Sequence, residues 1–400
     1  MLSGKTILDL SWVLGGPFAG QLLAQLGADV IKVETLEGDL SRRIPPILNE
    51  HESPFFLSVN RGKRSIAIDL KTEAGKKTFY DLVKQADAVI YGFAPSVPVR
   101  LGVDFETLKT IKPSIVVAQL VGLHDKGEYA DAPAFDLMIQ ALSGVMSITG
   151  EENGRPVRVG YQAADLVGGL YLALATVGAL CKAESNHTGQ YVQVSLFDTQ
   201  VAMLTWQAQG WLCGGPIPEA KGSRHAMIAP SDIYRAADGV WIALSPTGEA
   251  FWQALCQQLG KPELAHDPRF NTPSVRIENV KQLSTILTEC IEQKTSHEWL
   301  ALFKLARVPA APVLHVNQTL VHPLIKERKM LEFVTHPDSQ EKVSMLGNPF
   351  KFDGQPNLEY PPKIAADTEA VLQQLAGYSV ERINALAQEK AIGILKRAEK

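Results

Sequence analysis

Apolar positions along this chain follow two alternating rhythms. Short apolar runs bounded by glycine, proline or charge predict strands at 5–11 (KTILDLS), 28–34 (ADVIKVE), 65–70 (SIAIDL), 87–93 (DAVIYGF) and 114–120 (SIVVAQL). Between them, apolar residues spaced three and four apart predict helices at 18–27, 73–86 and near Phe105–Ile111. Strand and helix alternating over 120 residues is the signature of an α/β fold with an open parallel sheet. Pro17 suits a first helical turn, where its missing N–H has no intrahelical partner to lose.

The later chain changes texture. A helix is expected over 136–149, and an apolar run from Leu166 predicts a helix buried on most sides. QYVQVSLF (190–197) returns as a strand and 198–212 as a helix. CGGPIPEAKG (213–222) has the composition of a linker. Beyond it, DIYRAADGVWIAL reads as a hairpin turning at Asp238-Gly239, followed by helices at 249–259, 276–292 and 296–306 and a strand at 311–316. The expected organisation is a large domain over 1–212, the linker, a smaller α+β domain over 223–325, and a segment 326–400 that returns to the large domain. That last segment carries a short apolar piece, NPFKF, and two charged helices.

Composition narrows the function classes. Hydrophobic residues make up 46% and charged residues 20% of 400, enough for a sizeable core and more than one domain. A net charge of −4 argues against a broad polyanion-binding surface, so no nucleic-acid partner is expected. The apolar run Leu166–Cys181 is short of the roughly 18–20 residues that span a bilayer, so no membrane partner is expected either. Cys181, Cys213, Cys256 and Cys290 are widely spaced with no C-x-x-C pair. That pattern predicts reduced thiols in a cytoplasmic protein, with no metal site.

Two features invite chemistry. The turn after the first strand reads G-G-P-F-A-G rather than G-x-G-x-x-G, and Pro17 replaces a backbone donor, so Glu34 and this turn do not make a dinucleotide fingerprint. Asp165 stands at the head of the long apolar helix. An aspartate there is either a helix cap or a carboxylate kept ionised by the positive end of the helix dipole, with backbone donors nearby for an oxyanion. Gly168 and Gly169 follow it, and each costs a helix about 1 kcal/mol relative to alanine, which implies close packing or ligand approach.

Six ordered motifs carry a resemblance. WVLGGPFAGQLLAQLGADVIKVE with Gly38, Asp39 and Arg42, then NRGKRSIAIDLK (60–71), FAPSVPVRLG (93–102), FDLMIQALSGVMSITG (135–150), ADLVGG (164–169) and TGQYVQVSLFD (188–198), resemble the class III CoA-transferases, and YRAADGVWIAL, DPRF and VPAAPV extend the match into the second half. The resemblance implies a Rossmann-like large domain built from both chain ends, a smaller inserted domain, and an interlocked homodimer. It implies coenzyme A as substrate, with no permanently bound cofactor, and two partners, an acyl-CoA donor and a carboxylic acid acceptor. Asp165 aligns with the family's nucleophile. By resemblance CoA contacts fall on Gly15, Ile68, Lys71, Gly92, Phe93, Ala94 and Arg100, with Phe135 and Asp136 near the thioester. Asp136 is expected to cap or orient the 136–149 helix, and the basic cluster Arg61, Lys63 and Arg64 to meet the 3′-phosphate or form a solvated face.

Departures from the family pattern matter as much. The racemase branch carries a histidine where Phe135 stands, and phenylalanine cannot exchange a proton. This favours acyl transfer over epimerisation, while intramolecular transfer and CoA binding without turnover stay as alternatives. The segment before IAPSDIY, EAKGSRHAM, lacks the glycine-rich lid of the oxalate-type members, and a basic residue used by some members after Glu34 is Thr35 here.

Overall fold

Strands buried on both faces need helices on both faces, and the central strands of this chain are continuous apolar runs for that reason. The computed structural model describes residues 1–48, 52–130 and 132–395. The chain is an α/β protein of two units, one formed by 1–145, 158–210 and 326–400, the other by 146–157 and 211–325. In the first unit β1 (Thr6–Asp9), β2 (Asp29–Glu34), β3 (Arg64–Ile68), β4 (Ala88–Tyr91), β5 (Val116–Val121) and β6 (Gln190–Ser195) form a parallel sheet. Its order is β3-β2-β1-β4-β5-β6, and a short strand, Ile392–Gly393, adds antiparallel beside β3. The order reverses between β1 and β4, and open α/β sheets bind ligands outside the carboxyl ends of the strands at such a reversal.

Two apolar layers cover the sheet. One packs the Gly15–Gln25 and Ala163–Asn186 helices against it. The other packs Phe79, Leu82 and Leu108 with Val371, Leu372 and Ile383 from the C-terminal helices Thr368–Ala376 and Val380–Gln388. The Ala163–Asn186 helix is long and apolar enough to cross a membrane, yet it is a partly buried core helix of this unit. It is not buried on most sides. Leu170 is 49% and Leu174 67% exposed, so one apolar face stays uncovered.

Glycine sets how closely the two helices meet. A Cβ on Gly169 would lie 2.3 Å from the Gly15 carbonyl oxygen, and one on Gly15 would lie 2.8 Å from the Asp165 carbonyl oxygen. A Cβ on Gly168 would strike Leu196 at 2.4 Å. The glycines after Asp165 therefore serve packing; the space beside them is filled by protein, not open to a thioester.

Three expected helices are broken, the 276–292 segment at Asn279, between Pro273–Glu278 and Val280–Ile291. The 136–149 segment is a helix only over Asp136–Leu142, ending before Gly144 at a φ of +87°, with a 3-10 turn at Val145–Ile148. The 198–212 segment divides into Leu196–Met203 and Thr205–Leu212, with Thr205 in the left-handed region. A hairpin, Leu331–Thr335 with Lys342–Leu346, also appears where the tail was read as an apolar piece and helices. The second unit has the hairpin turning at Asp238-Gly239, with Gly239 at a φ of +81°, and Ala310–Pro312 as its third strand. Trp252, Trp299, Phe270 and Phe303 fill its core.

Gly169→Ala should destabilise the first unit by about 1–3 kcal/mol, the usual cost of overpacking. Thermal unfolding of the variant beside an exposed-site control such as Gly178→Ala, where an added Cβ meets nothing within 4 Å, checks this.

Candidate active site

Asp165 is the third residue of its helix; the N-cap is Gln162, which makes no side-chain capping bond. Capping falls instead to Asp136, whose Oδ1 accepts from the Ala164 N–H at 2.8 Å. Its Oδ2 accepts from Gln140 Nε2 at 2.7 Å, and Gln140 Oε1 accepts from the Val159 N–H at 2.9 Å. Asp136 thus does not cap its own helix, whose N-cap is Phe135; it caps the helix of Asp165. Both Asp136 and Gln140 are buried, so this brace is shielded from water.

Asp165 itself is half-buried. Burial, and then the negative charge of Asp136, push its carboxyl up to about 6. The helix dipole was expected to favour the ionised form, and the low-dielectric setting and the like charge outweigh it. The amides of Ala163 and Ala164 are already engaged, with Tyr161 O and Asp136, which leaves the N–H of Asp165 as the one donor among the first three without a protein acceptor among the described residues. The broader oxyanion cradle expected from the helix end is reduced to that donor.

A cleft of about 540 Å³ opens at the carboxyl ends of β1, β2 and β3. Ile68, Lys71, Phe93 and Arg100 line it, so four of the expected CoA residues come together. Gly92 and Ala94 flank Phe93 and are exposed; the Phe93 ring stacks on Tyr91 at 5.6 Å. Lys71 and Arg100 are exposed, and neither has an ion-pair partner among the described residues. Gly15 is buried away from the cleft, against the Asp165 backbone, while Asp165, Asp136 and the 70%-exposed Phe135 do not line the cleft. Trp12 and Lys76 line it and were missed. An aromatic residue in the turn after the first strand was the available signal for Trp12.

The model of the CoA-transferase family III matches residues 2–368. This chain belongs to that family. An acetyl-CoA:oxalate CoA-transferase of Acetobacter aceti is 35% identical over 89% of this chain and 92% of its own length. A succinyl-CoA:glutarate CoA-transferase of Homo sapiens is 31% identical over 96% of this chain and 88% of its own. Among solved structures, a CAIB/BAIF family protein from Brucella suis superposes with a TM-score of 0.83 at 34% identity, over 94% of this chain and 99% of that one. The protein is a family III acyl-CoA:carboxylate CoA-transferase.

The basic cluster of this transferase is neither a phosphate site nor a solvated face. Arg61 is buried and pairs with Glu332 at 2.6 Å while donating to the carbonyls of Leu346 and Leu358. Lys63 Nζ donates to Asp9 Oδ2 at 2.8 Å, to Pro17 O and to Asn60 Oδ1, and burial pulls its ammonium down to about 8. Arg64 forks onto both oxygens of Asp29. Sequence order places basic residues next to one another, but only folding supplies their carboxylate partners.

Below these pairs runs a second buried pair, Lys32 Nζ to Asp39 Oδ2 at 2.7 Å. Lys32 also donates to the Ser11 carbonyl at 3.0 Å, and Asp39 Oδ1 accepts from the Val13 N–H at 3.2 Å. Between them Val13 holds a φ of +67°. For a β-branched residue that conformation costs about 1–3 kcal/mol and persists only where the surroundings impose it.

The acidic limb of kcat/KM should fall with a midpoint near pH 6, because protonation removes the Asp165 carboxylate. Asp136→Asn keeps the capping oxygen but removes the like charge, and should move that limb to lower pH without bringing it to the ordinary aspartate range, since burial is the larger cause. In Asp165→Asn, activity should vanish while stability at pH 8 rises. With the folded value above the unfolded one, ionised Asp165 weakens the fold increasingly from about pH 4 to 6 and by a constant amount above. The gain of the variant should therefore shrink as pH falls toward 4, checked by denaturant unfolding at both pH values.

Proposed function

We propose that Asp165 is the nucleophile of CoA transfer from an acyl-CoA donor to a short dicarboxylic acid. The observation that carries this reading is a half-buried carboxylate, with its carboxyl raised to about 6 and no side-chain hydrogen bond among the described residues, in the unit that holds the cleft at the sheet's carboxyl edge. Such a group is mostly ionised at pH 7 and more basic than an ordinary aspartate, the combination a carboxylate nucleophile needs.

The Asp165 carboxylate attacks the thioester carbonyl, expelling CoA thiolate and leaving an aspartyl–acyl mixed anhydride. The thiolate attacks the aspartyl carbonyl, releasing the donor acid and forming an aspartyl–CoA thioester. The acceptor carboxylate then attacks that thioester to give a second mixed anhydride, and the returning thiolate takes the acceptor acyl group and frees Asp165. Two carboxylic acids thereby exchange one CoA without hydrolysis, provided water is kept from the anhydride. Lys71 and Arg100 suit phosphate oxygens of CoA, and Phe93 offers an aromatic face to adenine or the pantetheine arm. Relatives named for oxalate, mesaconate and glutarate support a dicarboxylic acceptor. Phe135, without an exchangeable proton, speaks against the racemase reaction.

The same reading includes a homodimer. Phe135, Leu137, Met138 and Leu142 lie exposed along one short segment, and Leu170 and Leu174 on the long helix, an apolar surface of the kind that a second subunit covers.

Succinyl-CoA and acetyl-CoA offered against a panel of mono- and dicarboxylic acids should yield new acyl-CoA, resolved by mass, with the dicarboxylic acids preferred. Hydroxylamine added during turnover should convert Asp165 to its hydroxamate. Turnover by Asp165→Ala, or trapping at another residue, overturns the reading. Arg100→Ala should raise KM for the CoA ester about five- to tenfold with kcat little changed, the loss of one charge-assisted phosphate contact. Light scattering after size exclusion should give twice the chain mass.

A further inference from the structure

The turn after β1 joins the two parts of this site. Leu10 and Trp12 line the cleft, and three residues on from Trp12, Gly15 abuts the Asp165 backbone. Between them lies Val13, a β-branched residue in the left-handed region. That conformation is disfavoured by its own side chain, so the turn keeps its shape only through bonds made from outside. Two of those bonds come from one buried ion pair. Lys32, on β2, holds the Ser11 carbonyl, and Asp39 holds the Val13 N–H. Asp39 is itself fixed by the amide and hydroxyl of Ser41, both at 2.8 Å, and through its own N–H by Glu34, which Arg42 grips with two bonds. Asp9 adds a third restraint, accepting from the amide and hydroxyl of Ser11. Lys32, Asp39 and Ser11 are all essentially inaccessible to water, so the restraint is not diluted by solvent.

We infer that Lys32 and Asp39 are positioning residues for CoA binding: together they hold the Trp12–Val13 turn in a strained conformation that sets the wall of the cleft relative to Asp165. Because the cleft is read as the CoA site, the assignment rests on the proposed function. It adds to that function two residues that touch neither substrate nor nucleophile and act through Val13.

The test separates positioning from support of the fold by a rescue. Asp39→Asn keeps an oxygen acceptor but gives up the charge that locks it to Lys32. It should raise KM for the acyl-CoA, and the dissociation constant of free CoA measured by calorimetry, about tenfold each, with KM for the acceptor acid unchanged. Glycine adopts the left-handed region without penalty. Adding Val13→Gly to Asp39→Asn should therefore bring both CoA values back to within about threefold of the unaltered enzyme. Loss of folded enzyme alone lowers kcat and leaves both constants in place. If Asp39→Asn does not accumulate as folded protein, the double change Lys32→Met with Asp39→Leu removes both charges together and should give the same rise and the same rescue. Unaltered CoA constants, or a rise that Val13→Gly does not reverse, overturn the assignment. Calorimetry needs no turnover, so failure of every acid to accept CoA would count against the transferase reading while the CoA constants still decide this one.

Discussion

Backbone contact between the Gly15–Gln25 and Ala163–Asn186 helices is the constraint on which the site depends. The space for a Cβ on Gly169 is taken by the Gly15 carbonyl, and the space for one on Gly15 is taken by the Asp165 carbonyl. With no side chain between them, the two helix starts have no slack. The Asp165 backbone is therefore held by main-chain contact, which does not change rotamer. Tight packing of this kind leaves little freedom to absorb a misplacement, and acyl transfer between large groups is sensitive to misplacement on the scale of an ångström.

Around that contact the charges are arranged at two levels. Buried pairs, Lys63 with Asp9 and Lys32 with Asp39, sit under the turn and spend their charge on one another and on backbone carbonyls. Gly20 belongs to the same arrangement, since a Cβ there would lie 2.5 Å from Asp9 Oδ2. Removing one partner of such a pair leaves a buried charge uncompensated, at a cost of about 3–5 kcal/mol. At the cleft the situation is reversed: Lys71 and Arg100 are exposed and have no ion-pair partner among the described residues. Asp165 is a third case, a half-buried carboxylate raised to about 6 by burial and then by the charge of Asp136, and still mostly ionised at neutral pH.

Much of this was legible in the residues. Strand and helix periodicity located the parallel sheet to within two residues at each end, and Ile68, Lys71, Phe93 and Arg100, named by motif, come together on one cleft, which Asp165 does not line. The misreadings share a cause. Asp136 was assigned to its own helix, and the basic run to a phosphate or to solvent. Each was interpreted from its neighbours along the chain, whereas its partner lies far away in sequence: Ala164 is 28 residues from Asp136, and Glu332 is 271 from Arg61. The strand Ile392–Gly393 escaped notice for a related reason, as two residues carry no periodicity and only an open sheet edge makes them a strand.

By itself, then, the sequence determined the class of fold and the family to which the chain belongs, because periodicity and motif spacing are local properties that the chain carries before it folds. Tertiary structure alone decided the rest: which carboxylate caps the helix of Asp165, which cations are neutralised and which stay free, why glycine stands at 15 and 169, and why Val13 tolerates a left-handed backbone. Those outcomes depend on the distance and burial of groups brought together from remote segments. Electrostatic energy follows distance and local dielectric, and neither exists until the chain has packed.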